Sequence, residues 1–99
     1  MALEVRIKPR AARQIEQAAV WWSEHRPAAP GAIRADLQGA LRVLLLQPGI
    51  GSKVENARNH DVRRLYLARV RYFVYYRIQG QSLDVVAFWH ESRQQGPDV

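Results

Sequence analysis

The chain opens on Leu3-Glu4-Val5-Arg6-Ile7, an apolar–polar alternation that predicts a short strand with one buried face. Pro9 ends that strand and suits the first turn of a helix, where its missing N–H costs nothing. From Arg10 to about His25, the residues Ala11, Ile15, Ala18 and Trp22 recur at helical spacing and mark a buried stripe. Trp21 falls about 100° off that stripe, so it is expected to be partly exposed. Arg26-Pro27 closes the helix, because the residue before proline avoids the α region. A second helix is expected from about Ala28 or Gly31 to Gln47, with the stripe Ile33, Leu37, Ala40/Leu41 and Leu44. Pro30 fits only its first turn, and Pro48-Gly49-Ile50-Gly51 stops it. The short connection makes the pair an antiparallel helical hairpin.

Ser52–Asp61 is polar and reads as a loop. Val62–Leu67 alternates again, with Leu65 and Leu67 on one face and Arg64 and Tyr66 on the other. Ala68–Arg71 is a short connection. Tyr72–Ile78 is rich in β-branched and aromatic residues, which fit a pleated surface. One of its faces carries Tyr72, Val74, Tyr76 and Ile78; the other carries Phe73, Tyr75 and Arg77. Gln79-Gly80-Gln81 is a compact turn in which Gly80 is free to take a positive φ. Leu83–His90 is apolar on both faces, the pattern of a strand central in its sheet or covered on both sides. Two tight connections make these three strands an antiparallel meander. The predicted order is β-α-α-β-β-β, an α+β fold with a two-helix hairpin on one face of a small, mainly antiparallel sheet.

Composition adds bounds. The 99 residues are read as one domain, 1–99, with one modest core. No apolar run approaches a membrane span, and Met1-Ala2-Leu3-Glu4 does not resemble a secretory signal. Cysteine is absent, which excludes disulfides and thiolate metal sites and fits a cytoplasmic location. His25, His60 and His90 show no metal-ligand spacing, so no metal or cofactor is expected.

Charge changes the picture more. The net charge of +6 is carried by thirteen Arg against two Lys. Arg63, Arg64, Arg69, Arg71 and Arg77 fall between Val62 and Leu83 with no acidic residue among them. Such a patch is either a solvated basic face or an attractor of nucleic acid, an acidic protein surface or an acidic inhibitor.

Several marks then fall in a familiar order. Trp22 lies near the end of the first helix with Pro27 after it. Ala40-Leu41 and Leu44 precede Pro48 and Gly51. Val62-Arg63-Arg64-Leu65, Tyr75-Tyr76-Arg77 and His90-Glu91-Ser92-Arg93 follow. In this order the chain resembles, over nearly its whole length, the RelE/ParE superfamily of toxins from bacterial type II toxin–antitoxin systems. The resemblance implies one of two activities. RelE-type members cut messenger RNA on the ribosome; ParE-type members act on DNA gyrase and lack the nuclease residues.

Metal-free RNA cleavage needs a base for the 2′-hydroxyl, cations for the phosphorane and an acid for the leaving oxygen. RelE-like nucleases place basic residues for this on the open sheet face. By pattern, their positions fall here on Arg64, Tyr66, Phe73 and near Glu91, and no tyrosine follows Tyr76. Only Arg64 keeps its charge. The ParE-like reading is therefore preferred: inhibition of gyrase by binding, with no catalytic residue, and target contacts from Arg63, Arg64, Arg71, Arg77 and Arg93. The alternative is a RelE-like, ribosome-dependent nuclease using Arg64 and His90. Histidine suits acid–base work near neutral pH, yet a hydrogen-bonded histidine packed at a strand end is the plainer account of His90. A third reading is an inactive toxin-fold protein or a nucleic-acid-binding module, since Tyr66, Phe73 and Tyr75 could stack on bases. The resemblance also implies a cognate antitoxin, small and acidic with a DNA-binding N-terminus. Its tail would fold on binding, with Trp21 and Trp22 as contacts. Trp22 also reads simply as core.

Overall fold

The computed structural model describes residues 3–99. In it the elements run β1 (Glu4–Ile7), α1 (Pro9–His25), α2 (Ala32–Leu46), β2 (Ser52–Lys53), β3 (Arg63–Leu67), β4 (Tyr72–Gln79) and β5 (Ser82–His90). The strands form one sheet in the order β1-β5-β4-β3-β2. All neighbours are antiparallel except β1, which lies parallel to β5 with Val5 opposite Leu83. The chain is thus α+β, with strand, helix, helix and strands in the predicted order. β5 is an interior strand, flanked by β1 and β4, which suits its two apolar faces.

Two boundaries differ from the sequence reading. Ser52–Asp61 is not all loop: Ser52 and Lys53 pair with Arg64 and Arg63 as a two-residue edge strand. Two polar residues carry no periodicity, so nothing in the pattern announces this strand. α2 begins at Ala32 with Gly31 as its N-cap, so of the two expected starts the later one is close and Ala28 is not, because turns occupy Pro27–Gly31. Its end is close to expectation: Gln47 N–H donates to the Val43 carbonyl at 2.8 Å. α1 starts on Pro9 and closes with Arg26 N–H on the Trp22 carbonyl at 2.7 Å.

The hairpin's stripe meets one face of the sheet. Ala11, Ile15, Ala18, Ile33, Leu37, Ala40 and Leu44 pack with Leu67, Val74, Tyr76, Leu83, Val85 and Phe88 in one buried cluster. Each large side chain so buried contributes about 1.5–3 kcal/mol. Tyr76 is fully buried, and its hydroxyl donates to the Pro48 carbonyl at 2.6 Å while accepting from Gly51 N–H at 3.0 Å. That pair of bonds fixes how the chain leaves α2 and reaches the sheet. Burial pushes the Tyr76 phenol above its ordinary pKa. Among the described residues no helix is long and apolar enough to cross a membrane.

One irregularity positions the site. The β4–β5 ladder runs Tyr75 to Ala87 and then Tyr76 to Val85, so Val86 is an extra residue in β5. Such a bulge reverses the alternation beyond it. Val85 and Phe88 both join the core beneath the helices, while Ala87 and Trp89 turn to the opposite face.

Candidate functional site

The face away from the helices has two parts. The first is a strip across β3 and β4. The Arg64 guanidinium lies 4.2 Å from the centre of the Phe73 ring, and its Nη1 donates to the Tyr75 hydroxyl at 3.2 Å. Tyr66 packs against Phe73 with ring centres 5.0 Å apart. The Tyr66 hydroxyl donates to Glu91 Oε2 at 2.8 Å, and Arg71 Nε lies 3.3 Å from Glu91 Oε1. The hydrogen bond to Glu91, more than its charge, raises the Tyr66 phenol above its ordinary pKa. The strip therefore offers an exposed cation braced by aromatics, with a carboxylate tied down at its end.

The second part is covered by the chain itself. Val62, Tyr75, Ala87 and Val99 form a small buried cluster. The segment after β5 runs back over the sheet: the Gln95 carbonyl accepts from Trp89 Nε1 at 2.7 Å, and Val99 is only 6% exposed. Asn59 holds the Val99 oxygen twice, through its backbone N–H at 3.1 Å and Nδ2 at 2.8 Å. The sequence reading missed this cover. The signal was there: a strand apolar on both faces needs two lids, and the helices supply one. Deleting residues 94–99 should expose Tyr75 and Ala87. The expected result is stronger binding of an apolar dye and a loss of about 2 kcal/mol, the burial of one valine, in urea unfolding. An unchanged unfolding midpoint would show that the segment is not a lid.

The basic residues singled out in the sequence do not form one patch. Arg64 stands on the strip. Arg63 points the other way and donates to the Gly51 and Gly49 carbonyls at 2.8 and 3.4 Å, beside the exit from α2. Arg71 sits in the β3–β4 turn with φ 65° and pairs with Glu91. Arg77 is half-buried beside Asp84, its partner across β4 and β5. Arg93 lies 4.0 Å from the centre of the Trp89 ring and also borders Gln14, Tyr72 and Phe88, so it stands at the edge between this face and the helix side.

His90 is on the other side. It pairs with Tyr72 across β4 and β5, and its ring meets the Tyr72 ring edge-on at 4.9 Å, on the helix-covered face. Arg64 and His90, the two residues of the nuclease reading, thus lie on opposite faces of the sheet. Trp89, the preceding residue, faces the opposite side by ordinary strand alternation, so His90 packs on Tyr72. Trp22 is partly buried against the core and donates Nε1 to the Ala29 carbonyl at 2.9 Å, whereas Trp21 is 44% exposed. Among the described residues, no three carboxylates or histidines converge on a metal position.

No curated protein matches this sequence. A solved structure described as a chromosomal ParDE TA system from P. aeruginosa has a similar fold, with a TM-score of 0.70 and 16% sequence identity. That match covers 89% of this chain and 95% of the other. The family profile described as ParE toxin of type II toxin-antitoxin system, parDE, matches residues 5–95. The match takes in both helices and every strand from Val5 to beyond His90, and so this chain belongs to the family of ParE toxins of type II toxin–antitoxin systems.

Proposed function

We propose that this toxin acts in the cytoplasm, as a single domain, by holding DNA gyrase and not by cutting RNA. The observation that carries this reading is the separation of Arg64 and His90 by the thickness of the sheet. Cleavage requires base, cation and acid to converge on one phosphate. Here Phe73 and Glu91 stand where an RNA-cutting face would need cations. Binding makes no such demand. An arginine braced on a phenylalanine suits a protein surface, since its planar charge loses little freedom on contact. The contacts proposed are Arg64 at the centre and Arg93 at the end of the strip. Arg71 and Arg77 lie at its margins, and Arg63 acts indirectly by fixing the exit from α2. The cognate antitoxin is proposed to cover Trp21 and Trp22.

The test is the product. Purified toxin added to programmed ribosomes should leave the messenger intact. When the toxin is induced without antitoxin, His90→Ala should keep toxicity within a few-fold of the parent, with a DNA-damage response and no cleaved messenger. Cleavage at defined codon positions that disappears in His90→Ala would overturn the proposal and assign the chain to the nuclease branch.

A further inference from the structure

Where the chain leaves α2, a turn with a pinned backbone holds its large side chains in water. Gln47–Ile50 closes with Ile50 N–H on the Gln47 carbonyl at 3.1 Å. The Pro48 carbonyl accepts from the Tyr76 hydroxyl, and the Gly49 and Gly51 carbonyls accept from Arg63. Gly51 N–H donates to Tyr76 in turn. Yet Leu46, just before this turn, is 84% exposed, the most of any large apolar side chain among the described residues. Ile50, at its end, is 50% exposed, and Val43, one helical turn before Leu46, is exposed as well. A backbone fixed in this way has little freedom left to lose on contact. Apolar area displayed on such a frame marks an interaction surface.

Charge and position narrow the occupant. From Leu37 to Val54 the sequence holds no acidic residue. Arg42 and Lys53 are exposed on either side of the turn, and neither has a carboxylate partner among the described residues. The turn also adjoins the strip. Ser52, two residues after Ile50, pairs with Arg64, and β2 is only two residues wide at that edge. The Trp21–Trp22 pair lies at the other end of the hairpin, beside the start of α2, about 20 Å of helix away.

We infer that Leu46 and Ile50 are an apolar anchor for the toxin's target, a protein surface with an apolar cleft rimmed by carboxylates. That surface grips the β2 edge and meets Arg64 on the far side of it. The assignment rests on the gyrase reading and adds to it the contact that burial, and not charge, would stabilise. A second copy of this chain fits poorly. A two-fold contact would crowd the Arg42 and Lys53 of both copies around one axis, and a lysine on an edge strand opposes edge-to-edge pairing.

The test titrates variants into gyrase supercoiling and, by calorimetry, into the antitoxin encoded beside this gene. Leu46→Ser should weaken inhibition about tenfold and Ile50→Ser about fivefold, with antitoxin affinity within about twofold of the parent. Lys53→Glu should weaken inhibition about fivefold, and more at low salt than at high. Ile7→Ser is the control: Ile7 is 42% exposed on the opposite edge of the sheet, and both readouts should stay with the parent. Removing exposed side chains should leave thermal unfolding unchanged, so lost inhibition would not be lost fold. Full inhibition by Leu46→Ser would overturn the anchor and leave the gyrase reading standing. An equal loss of antitoxin affinity would overturn it by placing the antitoxin on the turn. Binding to phosphatidylglycerol vesicles that Leu46→Ser abolishes, with inhibition intact, would make the turn a lipid contact instead. A dimer of free toxin that Leu46→Ser dissolves, with inhibition intact, would make it a face between copies. If the parent toxin leaves supercoiling unimpaired, this assignment and the gyrase reading fall together.

Discussion

Gly51→Ala should destabilise this protein by about 3 kcal/mol and lower its melting temperature by roughly 10–20 °C for a chain of this size. Gly51 is buried where the exit from α2 crosses the sheet. A Cβ there would stand 2.5 Å from the Tyr76 hydroxyl, 2.8 Å from its ring and 2.9 Å from the Arg64 carbonyl. The last of these is backbone in a paired strand, so it cannot give way cheaply. Shifting the hydroxyl instead would strain its bonds to Gly51 and Pro48 and strand buried polar groups. Tyr76→Phe probes the same knot from the other side and should cost about 1–3 kcal/mol. Gly49→Ala is the control: nothing lies within 4 Å of its would-be Cβ, and surface changes of that kind stay within about 0.5 kcal/mol. Thermal unfolding by circular dichroism reads all three. If Gly51→Ala melts with the parent, the close approach is not what holds the hairpin to the sheet.

What could be read from the sequence follows what periodicity encodes. Ala11, Ile15 and Ala18 repeat at helical spacing because they face one core, and the structure buries all three. Leu65 and Leu67 alternate with Arg64 and Tyr66 because β3 has one covered face, and the faces fall as expected. β2 escaped because two edge residues need no apolar alternation. The segment after β5 escaped because Gly96-Pro97 reads as loop and one valine makes no pattern. The bulge matters most for function. From Val85 to Trp89 β5 is apolar throughout, so its sequence does not disclose where the alternation slips. That slip at Val86 decides which way His90 points. A residue-by-residue match to the nuclease pattern therefore weighed His90 and Arg64 together, although the fold separates them. The site residues that remain legible are those on a strand with a clean period of two: Arg64 and Tyr66 on β3, and Phe73 on β4.

Charge reversal on that strand should have the largest functional effect. Arg64→Glu is expected to weaken inhibition of gyrase by at least about thirtyfold, the effect of about 2 kcal/mol. Loss of a charge desolvated at an interface costs roughly 2–5 kcal/mol, whereas a rim charge mainly changes the rate of association. Arg64 belongs to the first kind if the strip is the contact, because its guanidinium is already stripped of water on one side by Phe73. Arg64→Lys keeps the charge but loses the flat stack and the bond to Tyr75, so it should fall between parent and Arg64→Glu. Arg93→Glu, at the end of the face over Trp89, should weaken inhibition less than Arg64→Glu. Arg13→Glu lies on the exposed side of α1 and should stay near the parent. Each variant is titrated into gyrase supercoiling relaxed circular DNA, at more than one salt concentration to separate steering from contact. Equal inhibition by Arg13→Glu and Arg64→Glu would show that the target does not touch the strip. Supercoiling that proceeds unimpaired at every concentration of the parent toxin would remove gyrase as the target.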